Sequence, residues 1–160
     1  MQISELVKAQ GGLVLSRKET KASGNGGCPY KRLTLRALTE DGEIDSSALE
    51  DFCASETLNH AWFASPGDVV IRLFSPLCPV VIEEGQEKLL VPSQLAILKV
   101  KDCTILLPEF LKISLSQKEI QEKIRRIESG TTQRVVKLGT IMELHKLFQP
   151  HSQTSIRQTY

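Results

Sequence analysis

The 160-residue sequence lacks the features that would mark a membrane-spanning or exported protein. Aromatic residues make up only 5% of it. No apolar run approaches the roughly 20 residues that span a bilayer. The first residues have neither the basic nor the apolar segment of a signal peptide, so a cytoplasmic location without membrane contact is expected. Length and ordinary composition predict one globular domain.

The four cysteines lack the arrangement of a metal site. Cys28, Cys53, Cys78 and Cys103 recur every 25 residues, but their neighbouring sequences share nothing, so no internal repeat is indicated. None belongs to a Cys-x-x-Cys pair, and no histidine stands at ligand spacing from another ligand. We expect reduced, mostly buried thiols, with no metal and no cofactor.

Motifs for nucleotide binding and catalysis are also missing. No Gly-x-x-x-x-Gly-Lys-[Ser/Thr] loop occurs, and no Gly-x-Gly-x-x-Gly follows a strand. Asp68, Glu83 and Glu84 could imitate the acids of a metal-dependent nuclease, but the lysine of such a site does not follow them. A turn explains Asp68 better, because its carboxylate can accept hydrogen bonds from nearby backbone N–H groups. We predict a binding protein without catalytic residues and keep a nuclease fragment as an alternative.

The charges are separated along the chain, although the net charge is only +1. Residues 1–39 carry +5 and residues 88–160 carry +6, whereas residues 40–87 carry −10 and contain a single base, Arg72. Two basic flanks around an acidic middle could fold into a molecule with one cationic face. A solvated surface of mixed sign is the alternative.

Hydrophobic patterning predicts strands over the first two-thirds of the chain. Alternating apolar and polar residues at 30–38 indicate a half-buried strand with Leu33 and Leu35 on one face. Pro66-Gly67 is typical of a turn. Further strands are indicated by the apolar runs at 69–74, 79–82, 89–91 and 95–100.

Helix signals dominate the last third of the chain. Pro108 predicts a helix over 109–115, and Ile120, Ile124 and Ile127 form one face of the next. Capping-box patterns predict two more short helices, one beginning near Ser47 and ending at about Ala54, the other beginning at Thr140. The fold class is therefore α+β, with five to seven strands in a curled mixed β-sheet and short helices packed against it.

Six short pieces follow one another in an order that matches a known family. In chain order they are Ile3-Ser4-Glu5-Leu6 before a glycine and a strand ending in Arg17-Lys18; Gly67-Asp68-Val69-Val70 before a strand; Ser93-Gln94-Leu95-Ala96-Ile97-Leu98 after a turn; Leu107-Pro108-Glu109-Phe110-Leu111; Ile120 to Ile127 leading into Ser129-Gly130-Thr131-Thr132-Gln133; and Leu138 through Leu147 before Phe148-Gln149-Pro150. With these pieces, residues 1–150 resemble a target-recognition domain of the specificity (S) subunit of type I restriction–modification enzymes.

The resemblance implies a function in DNA recognition. An S subunit has two such domains, each of which reads half of a split target in the major groove of double-stranded DNA. It has no catalytic site and directs the methyltransferase and restriction subunits to that target. Residues 151–160 resemble the beginning of the spacer helix between the two domains. The alternative is a stand-alone half specificity subunit that acts as a protein-interaction or regulatory module, with a second half subunit as a further partner.

Candidate DNA-contacting residues follow from the chemistry of the two kinds of contact. Phosphates are bound by Lys and Arg, whereas bases are read by forked donors such as Arg, Asn and Gln. Arg72 could instead be a counter-ion of the acidic middle. Each basic candidate could also be a solvated surface charge that contacts no DNA. The candidates are Arg17, Lys18, Lys21, Asn25, Lys31, Arg32, Arg36, Arg72, Thr131, Thr132, Gln133 and Arg134.

Overall fold

A computed structural model describes residues 3–19, 28–86, 88–129 and 136–144. Within these ranges the strands are β1 (Val7–Gly11), β2 (Cys28–Arg32), β3 (Glu50–Ala54), β4 (Phe63–Ala64), β5 (Val69–Arg72), β6 (Val80–Val81), β7 (Leu89–Leu90) and β8 (Leu95–Val100). The helices are α1 (Ile3–Leu6), α2 (Pro108–Leu115), α3 (Lys118–Ser129) and α4 (Leu138–Met142). Single turns of 3-10 helix lie at Leu15–Arg17, Leu35–Ala37, Ser46–Ala48 and His60–Trp62.

The first sheet is antiparallel, with the strand order β1-β8-β5-β6. Its two central strands are buried on both faces, which is why both read as continuous apolar runs in the sequence. Val69 and Ile71 face a core shared with the helices, whereas Val70 between them faces a second core. The sheet is therefore a central layer with apolar packing on each side.

The second sheet is mixed, with the order β3-β2-β7-β4. Strands β2 and β7 run parallel, and the other two pairings are antiparallel. Backbone hydrogen bonds from Leu33 to Leu90 and from Leu13 to Val91 continue the sheet beyond its regular strands. A third core, which includes Leu13, Phe52, Phe63 and Leu90, packs against it.

The helices cover the first sheet on the face away from the second core. Pro108 occupies the first turn of α2, where its missing N–H costs nothing. Ile120 and Ile124 of α3 are fully buried, and Ile127 packs against the same core. Both helices confirm the expectations from proline placement and from the three-isoleucine face. No helix in the described part of the chain is long and apolar enough to cross a membrane.

The predicted fold class is confirmed: the protein is α+β, with mixed strand pairing and short helices. Eight described strands form two four-stranded sheets, where five to seven in one curled sheet were expected. Burial of the cysteines differs from the prediction, because Cys53 and Cys103 are exposed and only Cys78 is buried among the three free thiols described. Burial raises the pKa of the Cys78 thiol, which keeps it protonated and unreactive.

Three local predictions are wrong. The capping-box pattern at Ser47 precedes strand β3, and only one 3-10 turn forms at Ser46–Ala48. The strand predicted over 30–38 ends at Arg32, and a 3-10 turn follows it at Leu35–Ala37, with Leu35 exposed. The last helix begins at Leu138, ahead of the Thr140 pattern.

Candidate nucleic-acid interface

A tight turn precedes β5 and places Asp68 in the interior. The N–H of Asp68 donates to the carbonyl of Ser65 at 3.0 Å, and Gly67 between them has a φ of +91°, which glycine adopts without strain. The Asp68 carboxylate accepts from the N–H of Ser65 at 2.9 Å and pairs with the Lys99 ammonium at 2.6 Å. Asp68 thus stabilises the turn through its carboxylate, as the sequence predicted.

The nuclease alternative gains no support from this geometry. Glu83 and Glu84 are exposed, whereas the Asp68 side chain is almost fully buried and already paired. Across the described ranges no group of three or more His, Cys, Asp or Glu side chains is placed to hold a metal ion.

Three of the predicted basic residues are paired with carboxylates from one short segment. Lys31 and Asp51 face each other across β2 and β3, with 2.5 Å between nitrogen and oxygen. Arg32 pairs with Glu50, its direct partner in the same register. Lys18 pairs with Glu56 just beyond β3. The acidic middle of the sequence therefore lies against the first basic flank. This surface has mixed sign, as the alternative interpretation of the charges expected.

Arg72 is engaged in holding a loop. Its Nε–H donates to the carbonyl of Pro76 at 2.8 Å, and its guanidinium lies 4.7 Å from the centre of the Phe74 ring. The backbone N–H of Arg72 also donates to the carbonyl of Leu77. These contacts fasten residues 73–77 to the end of β5. Neither prediction for Arg72, as a DNA contact or as a counter-ion of the acidic middle, receives support.

Two arginines converge on one cleft of about 290 Å³, which we call the Arg32–Gln94 cleft. Arg32 contributes from the end of β2, and Arg36 from the 3-10 turn that follows. Gln94 reaches the cleft from the turn before β8. The cleft is lined by Arg32, Thr34, Leu35, Arg36, Glu50, Pro92 and Gln94.

The backbone around Arg36 is firmly held. The buried Thr34 hydroxyl donates to the carbonyl of Ala48 at 2.7 Å, and the N–H of Asp45 donates to the carbonyl of Ala37 at 2.8 Å. The hydroxyl and the N–H of Ser47 lower the pKa of the Asp45 carboxyl, and the charge of Arg36 adds to this shift. Arg36 thus projects from a rigid turn, and its side chain is exposed.

Gln94 is likewise fixed through its backbone. Its carbonyl accepts from the N–H of Leu73 at 3.1 Å, and the N–H of Leu95 donates to the carbonyl of Pro92 at 3.0 Å. The Gln94 side chain is exposed and makes no hydrogen bond with any other residue that the structure describes. The cleft therefore holds three forked donors, two of which sequence analysis had selected. Gln94 was missed, although it belongs to the Ser93–Leu98 piece of the resemblance.

A second, larger depression of about 470 Å³ lies on the other side of β2, because consecutive strand residues face opposite ways. Lys31 and the exposed Lys88 both line it, together with Tyr30 and Leu89. Lys88 is a further cation that sequence analysis did not select. It stands immediately before the apolar run at 89–91, and a lysine at the beginning of a predicted strand was the available signal.

The remaining candidates are distributed as follows. Arg17 is exposed at the end of its 3-10 turn and makes no ion pair with the described part of the chain. Six candidates lie outside the described residues: Lys21, Asn25, Thr131, Thr132, Gln133 and Arg134.

Comparisons with known proteins show a likeness in structure and none in sequence. No protein-family profile matches the chain, and no curated protein matches it. A solved chain from work on complex assembly and conformational transition of the type I restriction–modification system superposes with a TM-score of 0.66 at 12% identity. The S subunit of such a system from M. genitalium superposes with a TM-score of 0.54 at 16% identity.

Both superpositions include 99% of this chain, which spans 40% of the first neighbour and 37% of the second. At sequence identities this low, the superpositions show a common fold and nothing more. Over nearly its whole length, the chain has the fold of a segment of the S subunit of type I restriction–modification systems.

Proposed function

We propose that the protein is a sequence-specific DNA-recognition module of a type I restriction–modification system. It would read one half of a bipartite target and bring the methyltransferase and restriction subunits there, without a catalytic site of its own. A cytoplasmic location belongs to the same proposal. The observation that carries it is the S-subunit fold over 99% of the chain, with the Arg32–Gln94 cleft exposed on it.

The chemistry of the cleft supports DNA as the ligand. Arginine donates two parallel hydrogen bonds to guanine, and glutamine both donates to and accepts from adenine. Arg36 and Gln94 are exposed side chains on fixed backbone, so little conformational freedom has to be lost in the backbone that carries them. Lys18 is a surface cation that can reach phosphates, which position a protein on the duplex, whereas Lys31 and Lys88 lie on the other face of β2 from the cleft.

Partners other than DNA belong to the same proposal. The first neighbour comes from work on the assembly of the type I complex, so methyltransferase and restriction subunits are the expected protein partners. A second half specificity subunit remains the partner of the alternative function, a stand-alone interaction module. Sedimentation of the protein with and without methyltransferase subunits distinguishes the two.

Replacing Arg36 with alanine tests the interface. We expect the Arg36→Ala variant to bind duplex DNA about tenfold more weakly, because one arginine contact contributes about 1–3 kcal/mol. The dissociation constants are measured by fluorescence anisotropy on a labelled duplex at several salt concentrations. For the wild type, the logarithm of the association constant should fall by about 0.9 per bound phosphate for each unit of log salt concentration.

Arg125→Ala is the matched control, since Arg125 is an exposed arginine on α3 that does not line the cleft. It should bind as the wild type does. Equal losses in the two variants, or wild-type binding that ignores salt, would contradict the proposal.

A further inference from the structure

The Arg32–Gln94 cleft contains one feature that weakens it as a phosphate site. Glu50 lies within it and pairs with Arg32, its direct partner across β2 and β3. Arg32, Arg36 and Glu50 together leave the cleft a net charge of only +1. A carboxylate beside the guanidinium repels phosphate oxygens, so this arrangement suits a ligand that presents both acceptors and donors.

Folding stability gives little reason for the pair. The side chains of Arg32 and Glu50 are 27% and 46% exposed, and ion pairs as open to solvent as this contribute little to the stability of a protein. The neighbouring pair of Lys31 and Asp51 already ties the same two strands together on the other face. The position of Glu50 beside forked donors therefore points to recognition.

A G·C base pair presents the complementary pattern in the major groove. Guanine offers two acceptors, N7 and O6, which a guanidinium can contact at once, and cytosine offers an N4 amino group, which a carboxylate accepts. An A·T pair offers an acceptor and a donor on adenine and an acceptor and a methyl group on thymine, so neither base there gives the guanidinium two acceptors. An arginine beside a glutamate thus matches one base pair of four.

We propose that Arg32 and Glu50 act as a unit that reads one G·C base pair of the DNA target, Arg32 contacting guanine and Glu50 contacting cytosine. This inference rests on the proposed function and specifies part of its site. Arg36 and Gln94, on the rim of the same cleft, read adjacent positions. Leu35, which is 38% exposed and lines the same cleft, offers an apolar contact suited to a thymine methyl group.

Selection from a pool of duplexes with a random central sequence tests the assignment. The 160-residue wild type should enrich a motif in which one position is always G·C. Glu50→Gln should lower the preference for G·C at that position between about fivefold and about a hundredfold, and leave the other positions unchanged. Arg32→Lys keeps the charge but loses the fork, so the same position should lose its preference.

Asp51→Asn is the matched control. Asp51 is the next residue of β3, is also paired with a base, and faces away from the cleft, so its replacement should leave every base preference intact. Thermal unfolding shows that each variant is folded. If Glu50→Gln cannot fold, Arg32→Lys alone decides the question.

Failure of the G·C assignment can be distinguished from failure of the proposed function. A wild type that enriches a motif, together with variants that enrich the same motif with the same preferences, overturns the reading of G·C by Arg32 and Glu50. The pair is then an ordinary cross-strand contact, and the proposed function stands. A wild type that enriches no motif removes the proposed function and this inference with it.

Discussion

Single residues in this protein have different tasks even when their chemistry is the same. Arg32 and Arg36 stand in an open cleft, whereas Arg72 is bound to a backbone carbonyl and an aromatic ring inside a loop. Charge counting along the sequence treats the three alike. What separates them is where the guanidinium lies. Those of Arg32 and Arg36 line the open cleft, where Arg32 is paired with Glu50, whereas that of Arg72 is held by the 73–77 loop.

Asp68 offers a test of a purely structural role. Asp68→Ala removes the hydrogen bond to the Ser65 N–H and leaves the Lys99 ammonium without its partner. We expect the free energy of unfolding to fall by about 1–3 kcal/mol, since a buried acceptor and one charge partner are lost while Lys99 can still reach water. Chemical denaturation measures it.

Glu84→Ala is the control, because Glu84 is exposed next to the same turn region and should leave stability unchanged. The nuclease interpretation predicts the opposite: Asp68 and Glu84 would both be needed for DNA cleavage, and neither for folding stability. Cleavage that disappears in either variant, with stability unchanged, would revive that interpretation.

Among the secondary-structure elements, those predicted correctly were long and carried residues that mark a helix end or a buried helix face. Helices α2 and α3 have eight and twelve residues, a proline in the first turn of one and a repeating isoleucine face on the other, and both were predicted. Strand β3 was predicted as a helix from a capping-box pattern, and a pattern of only four residues is a weak signal. Its burial alternates, with Phe52 and Ala54 inside and Cys53 outside, and this two-residue period was the better signal.

The end of β2 shows a limit of sequence patterns. Alternation continues past Arg32, but the chain turns because the Thr34 hydroxyl finds the carbonyl of Ala48, fourteen residues away. A hydrogen bond between distant segments leaves no trace in local periodicity. The same turn exposes Leu35 and places Arg36 at the rim of the cleft.

The chain just after β1 passes so close to the backbone of Pro92 that position 12 requires glycine. A Cβ on Gly12 would lie 1.8 Å from the carbonyl oxygen of Pro92, which is backbone and cannot move aside. Gly12→Ala should therefore lower the free energy of unfolding by about 1–3 kcal/mol or more through overpacking. It should also disturb the turn that carries Gln94, because the N–H of Gly12 donates to the carbonyl of Leu95.

Gly11→Ala is a matched control, one residue earlier, where a Cβ would meet nothing within 4 Å. Its stability should equal or slightly exceed that of the wild type. Thermal denaturation of both variants checks the pair of predictions, and equal melting temperatures would contradict the close approach at Gly12.

At the scale of the whole molecule, folding mixes charges that the sequence keeps apart. The basic flank and the acidic middle pair through β2 and β3, so a single cationic face built on Lys18, Lys31 and Arg32 does not form. What the fold creates in its place is a cleft of forked donors. Gln94 joins Arg32 there because β7 pairs in parallel with β2 and leads directly into β8, a long-range arrangement that no local pattern contains.

The sequence specificity of DNA binding is measured directly by the ratio of two dissociation constants. The dissociation constants of the wild type are determined, at one ionic strength, for a duplex carrying the selected motif and for a duplex with the same bases scrambled. Each mismatched base pair costs about 1–3 kcal/mol, so scrambling several positions should weaken binding by about a hundredfold or more. Equal dissociation constants for the two duplexes would contradict the account.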